Sequence, residues 1–135
     1  MVIAEKNDGV GHWRTGDAYA NAGRWYLVTG KPAKAEIYYQ QELERWTRML
    51  GPAHRALVPH LAALAASQAA AHEPAKAAGN YQLALVIAEK AYGPQAFLLA
   101  PLLEHYAKVL RTQQREMAAS AALARATAIR KGLHQ

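Results

Sequence analysis

The sequence predicts an all-α solenoid of three helix-turn-helix repeats, preceded by a partial N-terminal helix. Three observations predict it. Gly51-Pro52 recurs 42 residues later as Gly93-Pro94, and Val58-Pro59 recurs at the same offset as Ala100-Pro101. Ala35 and Tyr39 return as Ala77 and Tyr81, then as Ala119 and Leu123. No period-two alternation of apolar and polar residues competes with the helical spacing. A fixed period of this size is the mark of stacked supersecondary units, none of which can bury its apolar face alone.

The register divides the chain into windows 10–51, 52–93 and 94–135, with residues 1–9 left over. Val2-Ile3-Ala4-Glu5-Lys6 and then Gly9 match Val86-Ile87-Ala88-Glu89-Lys90 and then Gly93, 84 residues on, which is two periods. Residues 1–9 therefore read as the tail of an earlier repeat's helix, or as an N-terminal cap.

Each window holds two helices, expected at about 14–29 and 32–50, 55–71 and 74–92, and 97–113 and 115–131. In the second window Leu57, Leu61, Leu64, Ala65 and Gln68 recur at helical spacing, followed by Ala77, Tyr81, Ala84, Leu85 and Ala88. The turn His72-Glu73-Pro74 places Pro where a helix begins. Gly30-Lys31-Pro32 and Gln114-Arg115-Glu116 are its equivalents. Gly51 and Gly93 end the second helices and are expected to supply left-handed caps, with Pro next because it cannot extend the helix. Pro59 and Pro101 are tolerated if their missing N–H falls among the first four unbonded ones, so these helices should start about four residues earlier, near Arg55 and Phe97.

These positions resemble the tetratricopeptide repeat family. Tyr19, Ala22, Gly23 and Tyr26 fill its large, large, small, large pattern in the first helix of repeat one, with Ala35, Tyr39 and Glu42 in the second. Repeat two offers Leu61, Leu64, Ala65 and Gln68, then Ala77, Tyr81 and Ala84; repeat three offers Leu103, Tyr106, Ala107 and Leu110, then Ala119, Leu123 and Ala126. Ala22, Glu42 and Gln68 depart from the pattern. The 42-residue period and Leu50-Gly51-Pro52-Ala53-His54 resemble the kinesin-light-chain-like subtype. The resemblance implies a right-handed α-α superhelix. Gly23, Ala65 and Ala107 would allow close helix approach, and Tyr39, Tyr81 and Leu123 would fill the gap to the next repeat.

The resemblance also implies a peptide or partner helix lying along the concave side, lined by the first helices. Mapped onto this sequence, that groove takes Asp17, Asn21 and Arg24 from repeat one, Ala62 and Ala66 from repeat two, and Glu104, His105, Lys108 and Arg111 from repeat three. Its middle would be apolar and shallow and its ends charged, with Arg24, Lys108 and Arg111 able to pair with carboxylates. The family's two-carboxylate clamp for chaperone tails is absent, because Ala20, Arg24, Ala63, Pro101 and His105 stand at its positions.

Charge agrees with an acidic partner. The chain carries +6 at pH 7. Residues 94–135 hold six Lys/Arg against Glu104 and Glu116. Nucleic acid is not favoured, because the basic residues fall on both helix faces without an interleaved aromatic stripe. The first repeat gathers Trp13, Trp25, Tyr26, Tyr38, Tyr39 and Trp46, most of them expected in packing. Self-association through a solenoid end is the alternative function, using these aromatics or the last helix.

Enzymatic chemistry finds no constellation. The histidines are His12, His54, His60, His72, His105 and His134, and none pairs at i, i+4 with a carboxylate partner as a helical metal site requires. His54 and His60 straddle a repeat junction, where they are expected to cap or line turns. Ser67 has no His or acid one turn away, and Glu42 with Glu44 and Arg45 reads as a helix surface. No base, nucleophile and oxyanion site assemble. The expectation is a non-enzymatic interaction module with no cofactor and no metal. Cysteine is absent, so no disulfide framework exists. No run approaches the roughly 18 apolar residues of a membrane span. With no signal layout at Met1 to Lys6, the compartment stays open and leans to the cytoplasm.

Overall fold

A computed structural model describes the backbone from Thr15 to Gly132 and the side chains from Ala18 onward. The expectation of a partial helix at 1–9 lies outside the described residues, as do His12, Trp13, His134 and the side chain of Asp17.

Six α-helices follow one another: α1 Thr15–Val28, α2 Pro32–Leu50, α3 Val58–Ala70, α4 Pro74–Tyr92, α5 Leu99–Thr112 and α6 Glu116–Arg130. A short 3₁₀ turn, Arg55–Leu57, leads into α3. No strand occurs among the described residues. The helices pack as the pairs α1–α2, α3–α4 and α5–α6, and the pairs join through α2–α3 and α4–α5. The first helices also meet directly where α3 touches α5.

Local chemistry sets the boundaries. Pro32 and Pro74 open the second helices, where a missing N–H costs nothing. Pro59 shapes the entry to α3 more finely than the sequence suggests. Its nitrogen cannot donate to Arg55, so residues 55–57 take the tighter turn and the α-helix begins at Val58. The His54 ring caps that turn: its Nδ1 accepts from the Ala56 N–H at 3.0 Å. The fifth helix likewise starts at Leu99 rather than Phe97, after a turn in which the Leu99 N–H donates to the Ala96 carbonyl.

The turns inside the three pairs share one geometry. The Lys31 N–H donates to the Tyr26 carbonyl, Glu73 to Gln68 and Arg115 to Leu110, at 2.8, 2.8 and 2.9 Å. A second bond runs from Gly30 to Leu27, from His72 to Ala69 and from Gln114 to Arg111. This is the bond pattern of a Schellman cap, which needs a residue at positive φ. Gly30 supplies it at 84°, but His72 and Gln114 adopt 64° and 62° despite their side chains. The junctions between pairs differ from the expected left-handed cap. Gly51 and Gly93 have φ of 92° and 99° with ψ of 161° and 155°, an extended mirror region essentially closed to other residues.

Two apolar clusters form the core. The smaller joins Tyr26, Ala35, Tyr39 and Leu64. The larger runs from Leu57 to Ile129, through Leu61, Tyr81, Leu99, Leu103 and Leu110. Close approach is visible at Gly23, where an added Cβ would lie 3.0 Å from the Tyr39 ring. Each fully buried leucine contributes on the order of 1.5–3 kcal/mol of transfer free energy.

Candidate functional site

The first helices carry the sequence-predicted groove residues. Asp17 lies on the first turn of α1, with Asn21 and Arg24 exposed further along. On α3, Ala62 and Ala66 are half-buried, as is Ala63 beside them. On α5, Glu104 is half-buried while His105, Lys108 and Arg111 are exposed. Tyr26 of α1 packs with Leu64 of α3, and α3 touches α5, so the three helices are coupled through the core.

The charges at the far end are not all free. The Arg130 guanidinium forks onto Glu104, with Nε and Nη2 at 2.7 and 2.8 Å from its two oxygens. Arg130 holds the Glu104 carboxyl below the ordinary glutamate range. Arg111 forks onto Glu116, its Nε at 3.0 and 3.2 Å from the two oxygens. Arg125 pairs with Glu89 and donates to the Pro94 carbonyl. Much of the third repeat's positive charge is thus locally matched, and Lys108 and Arg24 are left as groove cations with no ion pair among the described residues. The Arg111 pair is solvent-exposed, so little free energy holds it closed. His105 lies parallel to the Tyr81 ring, 6.1 Å away at 11°. It joins the exposed face to the core beneath.

Two departures from the family pattern have structural reasons. Gln68, 4% exposed, sits where Tyr26 and Leu110 sit in the other repeats. Its amide donates to Glu36 at 3.2 Å and accepts from Asn80 at 2.7 Å, so the buried polar group is satisfied. Glu36 lies beside Glu73; burial first, and then the neighbouring carboxylate, push its pKa up. Glu42 is not the surface residue the sequence suggested, since it is 2% exposed. Its Oε2 accepts from the Trp46 indole N–H at 2.6 Å. The indole in turn stacks on His60 at 5.2 Å, and burial lowers the His60 pKa. Ser67, fully buried, donates to the Leu64 carbonyl at 2.8 Å.

The aromatics of the first repeat divide between core and surface. Tyr26 and Tyr39 are buried. Tyr38 stacks on Tyr26 at 5.5 Å, and Trp25 meets the Tyr26 edge while staying half-exposed.

One feature was missed from the sequence. A cleft of about 720 Å³ opens between the end of α1, the start of α2 and the end of α3. Leu27, Pro32, Ala70 and Ala71 give it apolar walls, and Lys31, Lys34 and His72 supply cations. The signal was available in the 42-residue register. Lys31 and Lys34 are replaced at the second junction by Glu73 and Lys76, which pair with each other at 3.6 Å. Lys34 instead lies 5.5 Å over the Tyr26 ring.

Compared with known proteins, the chain matches no protein-family model and no curated sequence. None of the described helices is long and apolar enough to cross a membrane.

Proposed function

We propose that this chain is a non-enzymatic protein-interaction module of tetratricopeptide-like repeats, coiled as a right-handed superhelix, that holds an extended peptide or partner helix along its first helices. The observation that carries this reading is the surface of α1, α3 and α5. On α3, Ala62, Ala63 and Ala66 are half-buried, while Asn21 and Arg24 on α1 and His105, Lys108 and Arg111 on α5 are exposed. Small side chains admit close backbone approach, and flanking polar groups orient what docks there. Lys108, Arg24 and the weakly held Arg111 favour a partner carrying carboxylates.

A peptide array probed at two salt concentrations tests this. Preferential, salt-sensitive retention of acidic peptides is expected. Equal retention of acidic and basic peptides, indifferent to salt, would remove the charge argument.

Self-association is a second reading, favoured by one observation. Met117 on the last helix is 88% exposed, with Ala121 and Ala124 also exposed on that helix. Sedimentation over a concentration series separates the two, because a strict monomer eliminates the second.

A further inference from the structure

The cleft at the α1–α2 turn joins apolar walls to unmatched positive charge. Lys31 and Lys34 have no ion-pair partner among the described residues. The α2 helix of 19 residues points its N-terminus here, and no side chain caps it. Pro32 has no N–H and the Lys34 N–H donates to the Lys31 carbonyl at 3.2 Å, so the helix dipole adds only a modest positive potential to that of the two lysines. The ends of α1 and α3 would ordinarily oppose this with their free carbonyls. Several of those carbonyls are occupied: Tyr26 and Leu27 accept from Lys31 and Gly30, and Gln68 and Ala69 accept from Glu73 and His72. The closest carboxylate by sequence, Glu73, is paired with Lys76 and does not line the cleft.

We propose that this cleft binds an acidic peptide segment, with an apolar side chain seated between Leu27 and Ala70 and an adjacent carboxylate held by Lys31 and Lys34. Charge complementarity selects the acid. The shape selects a peptide over a small molecule. Gly30, Lys31, Ala33, Lys34, Ala70 and His72 are all exposed, so the cleft is an open trough that cannot enclose most of a compact ligand. A peptide gains additional contacts by continuing along α3 past Ala66, so the site is an end anchor for the groove proposed above and rests on that reading. The equivalent turn inside the second pair lacks this charge, because Glu73 at the register position of Lys31 pairs with Lys76.

The test is a nuclear magnetic resonance titration of the full ¹⁵N-labelled chain. The probe is a capped peptide alternating Glu and Leu; the controls are its Lys-Leu counterpart and N-acetylglutamate. The Glu-Leu peptide is expected to shift the amide signals of Gly30, Lys31, Lys34 and His72 saturably, and the Lys-Leu peptide is not. Lys31→Glu combined with Lys34→Glu should weaken binding roughly tenfold or more, as loss and reversal of two charge-assisted contacts demands. Both lysines are exposed, so the doubly substituted chain should retain the wild-type spectrum elsewhere. Shifts confined to Ala62, Ala66 and Lys108, unaffected by the substitutions, would overturn this inference and leave the groove reading standing. Absence of shifts with every peptide would overturn both. Equal affinity for N-acetylglutamate would overturn the peptide as occupant and identify a small-anion site.

Discussion

The two junctions between helix pairs occupy the same place in the repeat and are built from opposite chemistry. At the first, where α2 meets α3, stand Glu36, Glu42, Trp46, His60 and Gln68. At the second, 42 residues on, the same positions hold Ala78, Ala84, Ala88, Leu102 and Leu110. At these positions the second junction is wholly apolar, built of Leu and Ala. In the first, each buried polar group is joined to another: Gln68 to Glu36 and Asn80, and Glu42 to Trp46, which stacks on His60. The periodic backbone fixes which positions are buried. It leaves their polarity open, provided each polar side chain brought inside finds a hydrogen-bond partner.

Exchanging residues between the junctions tests this most severely. Leu110→Gln places an amide where Ala78 and Ala122 stand in the register positions of Glu36 and Asn80. It should cost on the order of 3–5 kcal/mol, from lost packing plus an unsatisfied polar group. The reciprocal Gln68→Leu should stay within about 1.5 kcal/mol, because hydrophobic packing replaces the network. Urea denaturation of both variants is the measurement. Equal losses would show that the two junctions are not distinguished by polar satisfaction.

A smaller effect isolates the aromatic half of the first junction. Trp46→Phe keeps a ring near His60 but withdraws the N–H that Glu42 accepts. Depriving a buried carboxylate of a donor should cost about 1–3 kcal/mol. A Glu42→Gln change in the same background should recover part of that loss. No recovery would place the cost in ring packing alone.

The turns offer a comparison in the stabilising direction. Gly30 occupies positive φ without penalty, while Gln114 holds 62° with a side chain. Relief of left-handed strain should outweigh the extra chain entropy of glycine, so Gln114→Gly should stabilise the fold by up to about 1 kcal/mol, raising the thermal midpoint. A lowered midpoint would mean that the side chain contributes more than its backbone strain costs.

Acidity gives the smallest signal. The Glu36 carboxyl titrates above its ordinary value of 4.5, chiefly through burial and then through Glu73. The folded state therefore favours its protonated form. That contribution is fully present below the unfolded value near 4.5 and disappears as pH rises through the folded value. Glu36→Gln should flatten this part of the stability profile and, at neutral pH, stabilise by less than about 1 kcal/mol, since the group is largely solvated. His60 acts at higher pH with the opposite slope. Burial lowers its pKa, so stability falls as pH drops below the ordinary histidine value of 6.5 toward the folded one. Denaturation of Glu36→Gln at several pH values separates the two, and an unchanged profile would remove Glu36 as the source.

The sequence by itself determined the helix pairs, their boundaries to within a few residues and most of the apolar buried positions. All of these follow from periodic local chemistry: apolar spacing, Pro at helix starts, Gly at ends. It also marked Gln68 and Glu42 as exceptions. Tertiary structure decided what became of them: the Gln68 partners Glu36 and Asn80 sit on other helices, and Glu42 is buried where the Trp46 N–H donates to it. The candidate groove shows the same division. Its residues were mapped through the family resemblance, and that mapping gave no sign of the pairing of Arg130 with Glu104, 26 positions apart. The cleft at Lys31 and Lys34 likewise forms only when the ends of α1 and α3 come together. Local spacing encodes which face a side chain occupies; which charges remain unmatched depends on groups distant in the chain and close in space.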